Sequence, residues 1–321
     1  MTIVRLGYVA MSMEVKNASP SKTMTYAQFQ KIEDRDAALR KLERIAFTNL
    51  ENTLRLLKHN AASEIHFYRF SSRLIPLANH EALLDWDYLK PLKGILQSIG
   101  DFVNDHEMRI DFHPDHFVLI NSPNEDILKN SIKTLKLHYL LLKKMGIAPT
   151  HRCVMHVGGN YKETENSLER FLENWMHVPS VIQKMIMLEN DDTSFTLEDT
   201  LYLCEKLGIP LVFDYHHHLA HNHHENWADH WDRVVQTWKY SPLPIKMHIS
   251  SPKSEKVFRH HSDFVDITMF FNFLKEIKGS IPHIDCMIEA KMKDQALFNL
   301  MEEVKKRDDI EIIDGSTFLL K

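Results

Sequence analysis

The stretch MIMLENDDTSFTLEDTLYLCEKLGIPLVFDYHHH, residues 185–218, decides the fold. It opens on a short apolar run, Met185 to Glu189, and closes on a second, Pro210 to Asp214. Both runs are too short for a helix and lack polar alternation, as strands buried on both faces do. In Leu207-Gly208-Ile209-Pro210 the glycine stands where an intervening helix must end. Glycine accepts the left-handed backbone that caps a helix, and proline cannot continue one. The unit reads strand–helix–strand, and each strand finishes on a carboxylate, Glu189 or Asp214.

The same reset, Met145-Gly146-Ile147, precedes a run at 153–157. Outward from there, strand-like runs fall at 3–9, 64–68, 108–113, 153–157, 185–189, 210–214, 245–249 and 284–289. Between them lie helical faces, such as Leu39, Leu42, Ile45, Ala46 and Leu50, or Leu128, Ile132, Leu135, Tyr139 and Leu142. Eight alternating units in 321 residues predict an α/β fold, a single (β/α)8 TIM barrel with its active site at the C-terminal ends of the strands. A doubly wound open sheet competes, but no G-x-G-x-x-G follows the first strand. With no linker and no shift in composition, residues 1–321 are expected to be one domain. The non-periodic stretches 10–33, 70–85, 214–227 and 250–265 are expected to be loops of the active-site face.

Composition closes off other classes. With 44% apolar and 26% charged residues, the chain is neither disordered nor of low complexity. No apolar run nears the roughly 18 residues that cross a bilayer. Met1 to Ala10 lacks the features of a signal peptide. Three scattered cysteines, Cys153, Cys204 and Cys286, argue against a disulfide framework and a thiolate zinc site, so a cytoplasmic location is expected. A net charge of −5 counts mildly against a nucleic-acid partner, although bound metal ions would add positive charge. The unusual number is 21 histidines, spread through the chain.

Six consecutive strands carry a metal-competent side chain at or near their C-terminal ends: His113, His156, Glu189, Asp214, His248 and Glu289. In a barrel these ends converge on one mouth. The stretches behind the sixth and seventh strands add more histidines, His217 and His261 among them. Any one such residue is more often a packed imidazole or a helix cap. Six together are not explained that way, because buried acids without a cation are costly. One catalytic zinc takes three protein ligands and a water, so this many donors suit two or three ions. Nitrogen and oxygen donors without thiolate favour Mn, Zn, Fe or Co over Ca. Ions about 3.5–4 Å apart are the machinery of in-line phosphoryl displacement. Lys246 shares strand parity with His248 and should face the same interior. Such a lysine must be paired with a carboxylate, neutral or modified. Cys286 has the opposite parity to Glu289 and should face the helices. Most other histidines near Asp214 are expected to be a solvated loop.

Longer motifs carry a resemblance. They are Arg5-Leu6-Gly7-Tyr8, Phe67-Tyr68-Arg69-Phe70-Ser71-Ser72, Phe112-His113-Pro114, Met155-His156-Val157-Gly158-Gly159 and Leu188-Glu189-Asn190-Asp191. They continue in Phe213-Asp214-Tyr215-His216-His217-His218, Lys246-Met247-His248-Ile249-Ser250, His260-His261-Ser262-Asp263 and Ile288-Glu289-Ala290-Lys291. Over about residues 3–294 the chain resembles the UV-damage endonuclease family, barrel enzymes related in fold to endonuclease IV. The resemblance implies a three-metal site held by His113, His156, Glu189, Asp214, His217, His248, His261 and Glu289. It alone selects His217 and His261 among their neighbours. It makes Glu189 the bridging, catalytic carboxylate and Lys246 a catalytic lysine that can be carbamylated. Mn2+ is the expected metal, ahead of Zn2+, Co2+ or Mg2+.

The implied reaction is hydrolysis of DNA immediately 5′ to cyclobutane dimers and 6-4 photoproducts, with abasic sites in range. It leaves a 3′-hydroxyl and a 5′-phosphate. Damaged double-stranded DNA is the expected partner, in the nucleoid, and a monomer the expected state. His116-Phe117 stand where many relatives carry Gln-Tyr and are expected to be the wedge that fills the gap left by an unstacked lesion. Tyr8 is a candidate stacking or pocket residue, with a strand-end aromatic in the core as the equal alternative. Arg69 is a candidate phosphate contact, with Arg73, Lys253, Lys256, Arg259 and Lys291 beside it. A sugar isomerase or epimerase of the same barrel class is the alternative. It predicts two metals and no use for His217, His261 or the wedge. A lesion-binding or metal-buffering protein, which binds without strand scission, is a third reading.

Overall fold

The computed structural model describes all 321 residues. Its strands are, in chain order, β1 (Thr2–Val9), β2 (Phe67–Arg69), β3 (Arg109–Asp111), β4 (Cys153–His156), β5 (Ile186–Glu189), β6 (Leu211–Asp214), β7 (Ile245–Ile249), β8 (Pro252–Ser254), β9 (Val257–His261), β10 (His283–Ile288), β11 (Ile310–Ile312) and β12 (Thr317–Leu320). Strands β1 to β7 and β10 run parallel around a barrel, so every expected barrel strand is present. The seam between β3 and β4 rests on one bridge, Phe112 to Cys153.

Strand β1 organises the closure. One edge pairs with β10, from Ile3 opposite His283 to Tyr8 opposite Ile288. The other edge is divided. Thr2 to Arg5 pair antiparallel with β12, and Gly7 to Val9 pair parallel with β2. Gly7 is required at that division, because a β-carbon there would stand 2.4 Å from the Phe67 carbonyl oxygen. Strand β2 starts three residues later than expected, since Glu64 takes left-handed backbone and turns the chain first.

Helices cover the outside and bury the faces read from the sequence. The helix Arg35–Ala62 is capped by Asp34, which accepts from the Asp36 and Ala37 N–H groups, and it buries Leu42, Ala46, Leu50 and Leu57. The helix Glu125–Lys144 buries Leu128, Leu135 and Leu142. Each of these buried leucines stabilises the fold by about 1.5–3 kcal/mol. The helix Leu197–Leu207 ends at Gly208, φ 66°, as its sequence requires. No helix is long and apolar enough to cross a membrane.

All four expected loops contain short ordered elements, with the helix Tyr26–Gln30 inside 10–33 and a 3-10 turn at Glu81–Leu83 inside 70–85. Residues 214–227 contain the helix Tyr215–Ala220, which starts because the Asp214 side chain accepts from the His217 N–H. Residues 250–265 contain the antiparallel hairpin β8–β9.

Below the mouth, the barrel interior is charged. Arg5 makes a forked pair with Asp285, at 2.8 and 2.7 Å. Arg109 reaches Asp285 at 2.8 Å and Asp111 at 3.3 Å, and Lys246 Nζ stands 3.0 Å from Asp111. Isolated ions cannot be buried at this depth, and here each has a partner of opposite sign. Burial pushes the Asp285 carboxyl up, but His283, Arg109 and Arg5 outweigh it and hold it well below the usual range. Cys286, of opposite parity to Asp285, is buried and unpaired.

Candidate metal centre

Glu189 is the hub. Fully buried at the end of β5, it meets His113 Nε2 at 2.9 Å and His248 Nδ1 at 2.8 Å. His217 Nδ1 lies 3.5 Å from its Oε1, and His156 Nε2 4.0 Å from its Oε2. Three clusters of donor atoms result: His113, His156 and Glu189; Glu189, Asp214 and His217; Glu189, His248 and Glu289. Seven of the eight sequence-selected residues thus come together, and Glu189 belongs to every cluster. The eighth, His261, comes from β9 rather than a loop. Its Nδ1 donates to the Glu289 carbonyl at 2.7 Å, which leaves Nε2 free, and its ring lies 6.2 Å from that of His217.

Local structure explains the convergence. Asp214 is both the last residue of β6 and the cap of the next helix. One oxygen holds the His217 N–H at 2.7 Å, while the other is buried with no hydrogen-bond partner. His217 Nδ1 donates to the Asn190 carbonyl at 3.0 Å, and His113 Nδ1 to that of Pro114 at 3.0 Å. Such outer contacts fix ring orientation at metal sites. His216 and His218 are buried, contrary to the expected solvated loop, because the helix turns them inward. Only His223 and His224 are exposed in that run.

The electrostatics call for cations. Burial raises the Glu189 carboxyl, but His248, His156 and His113 hold it well below the usual range. Burial raises Glu289 too, and Arg69 and His248 bring it well below. Burial, with Glu189 and Glu289 nearby, drives Asp214 well above the usual range despite His217. His217 is pushed up to about 10: burial opposes this, but Asp214, Glu189 and Glu289 prevail. Burial takes His248 down to about 4 against the pull of Glu189 and Glu289. Three crowded carboxylates therefore draw protons into the metal-free cluster. Divalent ions would replace those protons. The buried Asp214 Oδ2, His156 Nδ1 and His248 Nε2 lack partners, and the donors are all nitrogen or oxygen, so the residues fit such ions.

Other expected residues fare differently. Phe117 is 70% exposed beside the mouth, with its ring 4.1 Å from that of His116. Arg69 is tied by an ion pair to Glu289 rather than standing free for phosphate. Tyr8 is a correction. It has the opposite parity to the inward-facing Arg5, is fully buried, and donates to Asn60 Oδ1 at 2.6 Å on the helix side. A side chain so placed cannot stack on a base. Lys246 is fully buried one layer beneath His248, and its basicity is lowered by burial, with Asp111 opposing. Asp111 was not singled out from the sequence. The period-two rule that placed Lys246 beneath His248 also places Asp111 beneath His113.

Comparisons with known proteins show the family and the fold. A family model described as UV-endonuclease UvdE matches residues 4–319. A UV DNA damage endonuclease of Halalkalibacterium halodurans is 52% identical over 314 residues, covering 98% of this chain and 98% of the relative. The crystal structure of SacUVDE superposes with a TM-score of 0.83 at 30% identity, covering 94% of this chain and 98% of that one. Endonuclease IV from Thermus thermophilus shares the fold, with a TM-score of 0.55 at 13% identity, covering 94% of this chain and 100% of that one.

Proposed function

The chain belongs to the UV-endonuclease family and is an endonuclease of UV-damage repair, and on that footing we propose that it cuts damaged duplex DNA immediately 5′ to the lesion with divalent ions held at this centre. The lesions are cyclobutane pyrimidine dimers and 6-4 photoproducts, with abasic sites in range. The products carry a 3′-hydroxyl and a 5′-phosphate. The ions number two to three, with Mn2+ preferred over Zn2+, Co2+ and Mg2+. The protein acts as a monomer, on the nucleoid.

The single observation that supports this reading is the place of Glu189 in all three donor clusters. A carboxylate with an oxygen toward each neighbour is what a shared ligand needs. Divalent ions, when bound, neutralise phosphate oxygens and make water a better nucleophile. The chain's residues hold and orient around them. His113 and His156 flank one side of Glu189, Asp214 and His217 another, and His248 and Glu289 a third, with His261 closing from the hairpin. Arg69 holds the Glu289 carboxylate in place. Lys246 offsets Asp111 beneath His248, and its lowered basicity favours the free amine that takes up carbon dioxide. A carbamate resonance after growth on labelled bicarbonate reads that out. His116 and Phe117 fill the stack once the lesion leaves it. Family membership displaces the sugar-isomerase alternative.

The test is a duplex with one end-labelled cyclobutane dimer, incubated with the protein and Mn2+. A single nick 5′ of the dimer, absent with chelator and with Glu189→Gln, supports the reading. No nick from folded, metal-loaded protein overturns it.

A further inference from the structure

The helix that brings His217 to the centre runs, at its other end, into imidazoles that the centre does not use. There His221 Nε2 and His223 Nε2 face one another at 3.2 Å. Their rings stand at 88°, with centroids 4.8 Å apart. The backbone enforces this approach. His223 and His224 are both left-handed, with φ 44° and 70°, which folds the chain back toward His221. Residues with a β-carbon take that conformation at a cost of about 1–2 kcal/mol each. Neither residue joins the donor clusters around Glu189. The same short segment holds buried polar atoms without partners at His218 Nδ1, His221 Nδ1 and Glu225 Oε2. His223 opens the pair to solvent.

The separation has a chemical meaning. Two nitrogens each about 2.0 Å from one tetrahedral Zn2+ stand about 3.3 Å apart. We infer that His221 and His223 form a second transition-metal site, distinct from the catalytic centre, that takes one late first-row divalent ion through their two Nε2 atoms. Two imidazoles with no carboxylate select Zn2+, Ni2+ or Cu2+ over Mn2+, Mg2+ or Ca2+. Water completes the shell, so the ion exchanges freely, unlike one in a four-ligand structural site. The competing account of the same geometry is one N–H···N hydrogen bond between neutral rings.

The test uses the full, untagged chain and Zn2+ as the probe. Zinc is titrated against a chromogenic chelator for the wild type, for His221→Ala/His223→Ala and for His224→Ala. The double variant is expected to bind one equivalent fewer than the wild type and to lose retention on immobilised Ni2+. His224→Ala, which alters the exposed neighbour, keeps both. Nicking in Mn2+ is expected to be equal in all three, because none of these side chains joins the centre, and the His221 backbone N–H that bonds the His217 carbonyl is kept in alanine. Equal zinc stoichiometry in the double variant overturns the site. So does an imidazole nitrogen spectrum showing an N–H···N pair that persists unchanged in saturating zinc. Should the double variant misfold, His223→Ala, at an exposed position, gives the same readout.

Discussion

His216 Nε2 donates to the Phe258 carbonyl at 2.7 Å, which ties the helix carrying His217 to the hairpin carrying His261. The other ring nitrogen accepts from Ser250 Oγ at 2.6 Å, just past the end of β7. Burial pushes His216 down to about 4, so the ring is neutral and can fill both roles. Loss of the ring frees the hairpin without removing a metal donor. His216→Ala is expected to weaken metal binding about 10–100-fold, the scale for outer contacts at metal sites. The check is incision against Mn2+ concentration: the midpoint moves up while the rate at saturation recovers. His216→Asn, which keeps one polar contact, falls between.

Phe117 carries an exposed aromatic ring, and the wedge role proposed above would stack it in the gap left by the lesion. Stacking of a base on an aromatic ring contributes about 1–3 kcal/mol. Phe117→Ala is expected to weaken binding to dimer-containing duplex by about 5–150-fold by that measure. Affinity is measured in a Glu189→Gln background, where the duplex survives. Binding to undamaged duplex changes little, and metal content stays the same.

Metal removal is expected to lower thermal stability and to change proton uptake. Ions that bind only the folded state stabilise it by about 2.7 kcal/mol at a hundredfold excess over Kd. In the metal-free protein, burial beside Glu189 and Glu289 holds Asp214 high, and the surrounding carboxylates hold His217 at about 10. Metal binding therefore expels protons near neutral pH. Calorimetry in buffers of different ionisation enthalpy measures the number released, and melting with and without chelator measures the stability.

His138 sets an acid limit. It is fully buried, stacks on Phe112 with centroids 4.6 Å apart, and is pushed down to about 4 by burial. Below its ordinary value of 6.5, the unfolded chain gains a proton that the folded chain refuses until about pH 4. Stability is lost as the pH falls through that window, by about 3 kcal/mol from this group. His138→Phe keeps the stack and removes the titration. Urea midpoints at neutral pH and near pH 5 are expected to lie closer together in the variant. Buried His216 and His248, both also near 4, leave a residual slope of the same sign.

The barrel and the carboxylates and imidazoles gathered at its mouth were legible because two periodicities reinforce each other. Apolar runs such as Ile186 to Leu188 are buried on both faces, and each ends where the mouth begins, so Glu189, Asp214 and Glu289 mark their own positions. The helix Tyr215–Ala220 was not legible. Half of its residues are histidine, no apolar stripe marks it, and it exists because Asp214 caps it. The hairpin β8–β9 was hidden for a related reason. Lys253, Ser254, Glu255 and Lys256 are all exposed, so no alternation records the pairing. Tyr8 misled because its motif suggested the mouth, whereas strand parity turns it toward Asn60.

The divided edge of β1 also bears on how the chain is made. Its partner β2 arrives within about seventy residues, but β10 and β12 lie near the far end of the sequence, with Arg5 waiting 280 positions for Asp285. During synthesis the first strand is therefore left with one edge open while almost every other element is translated. An unpaired parallel edge invites pairing with other chains, and contacts this distant in sequence close slowly. The barrel cannot close until β10 has been made, and ribosome-bound chains that stop short of Ile288 are the species a chaperone should hold.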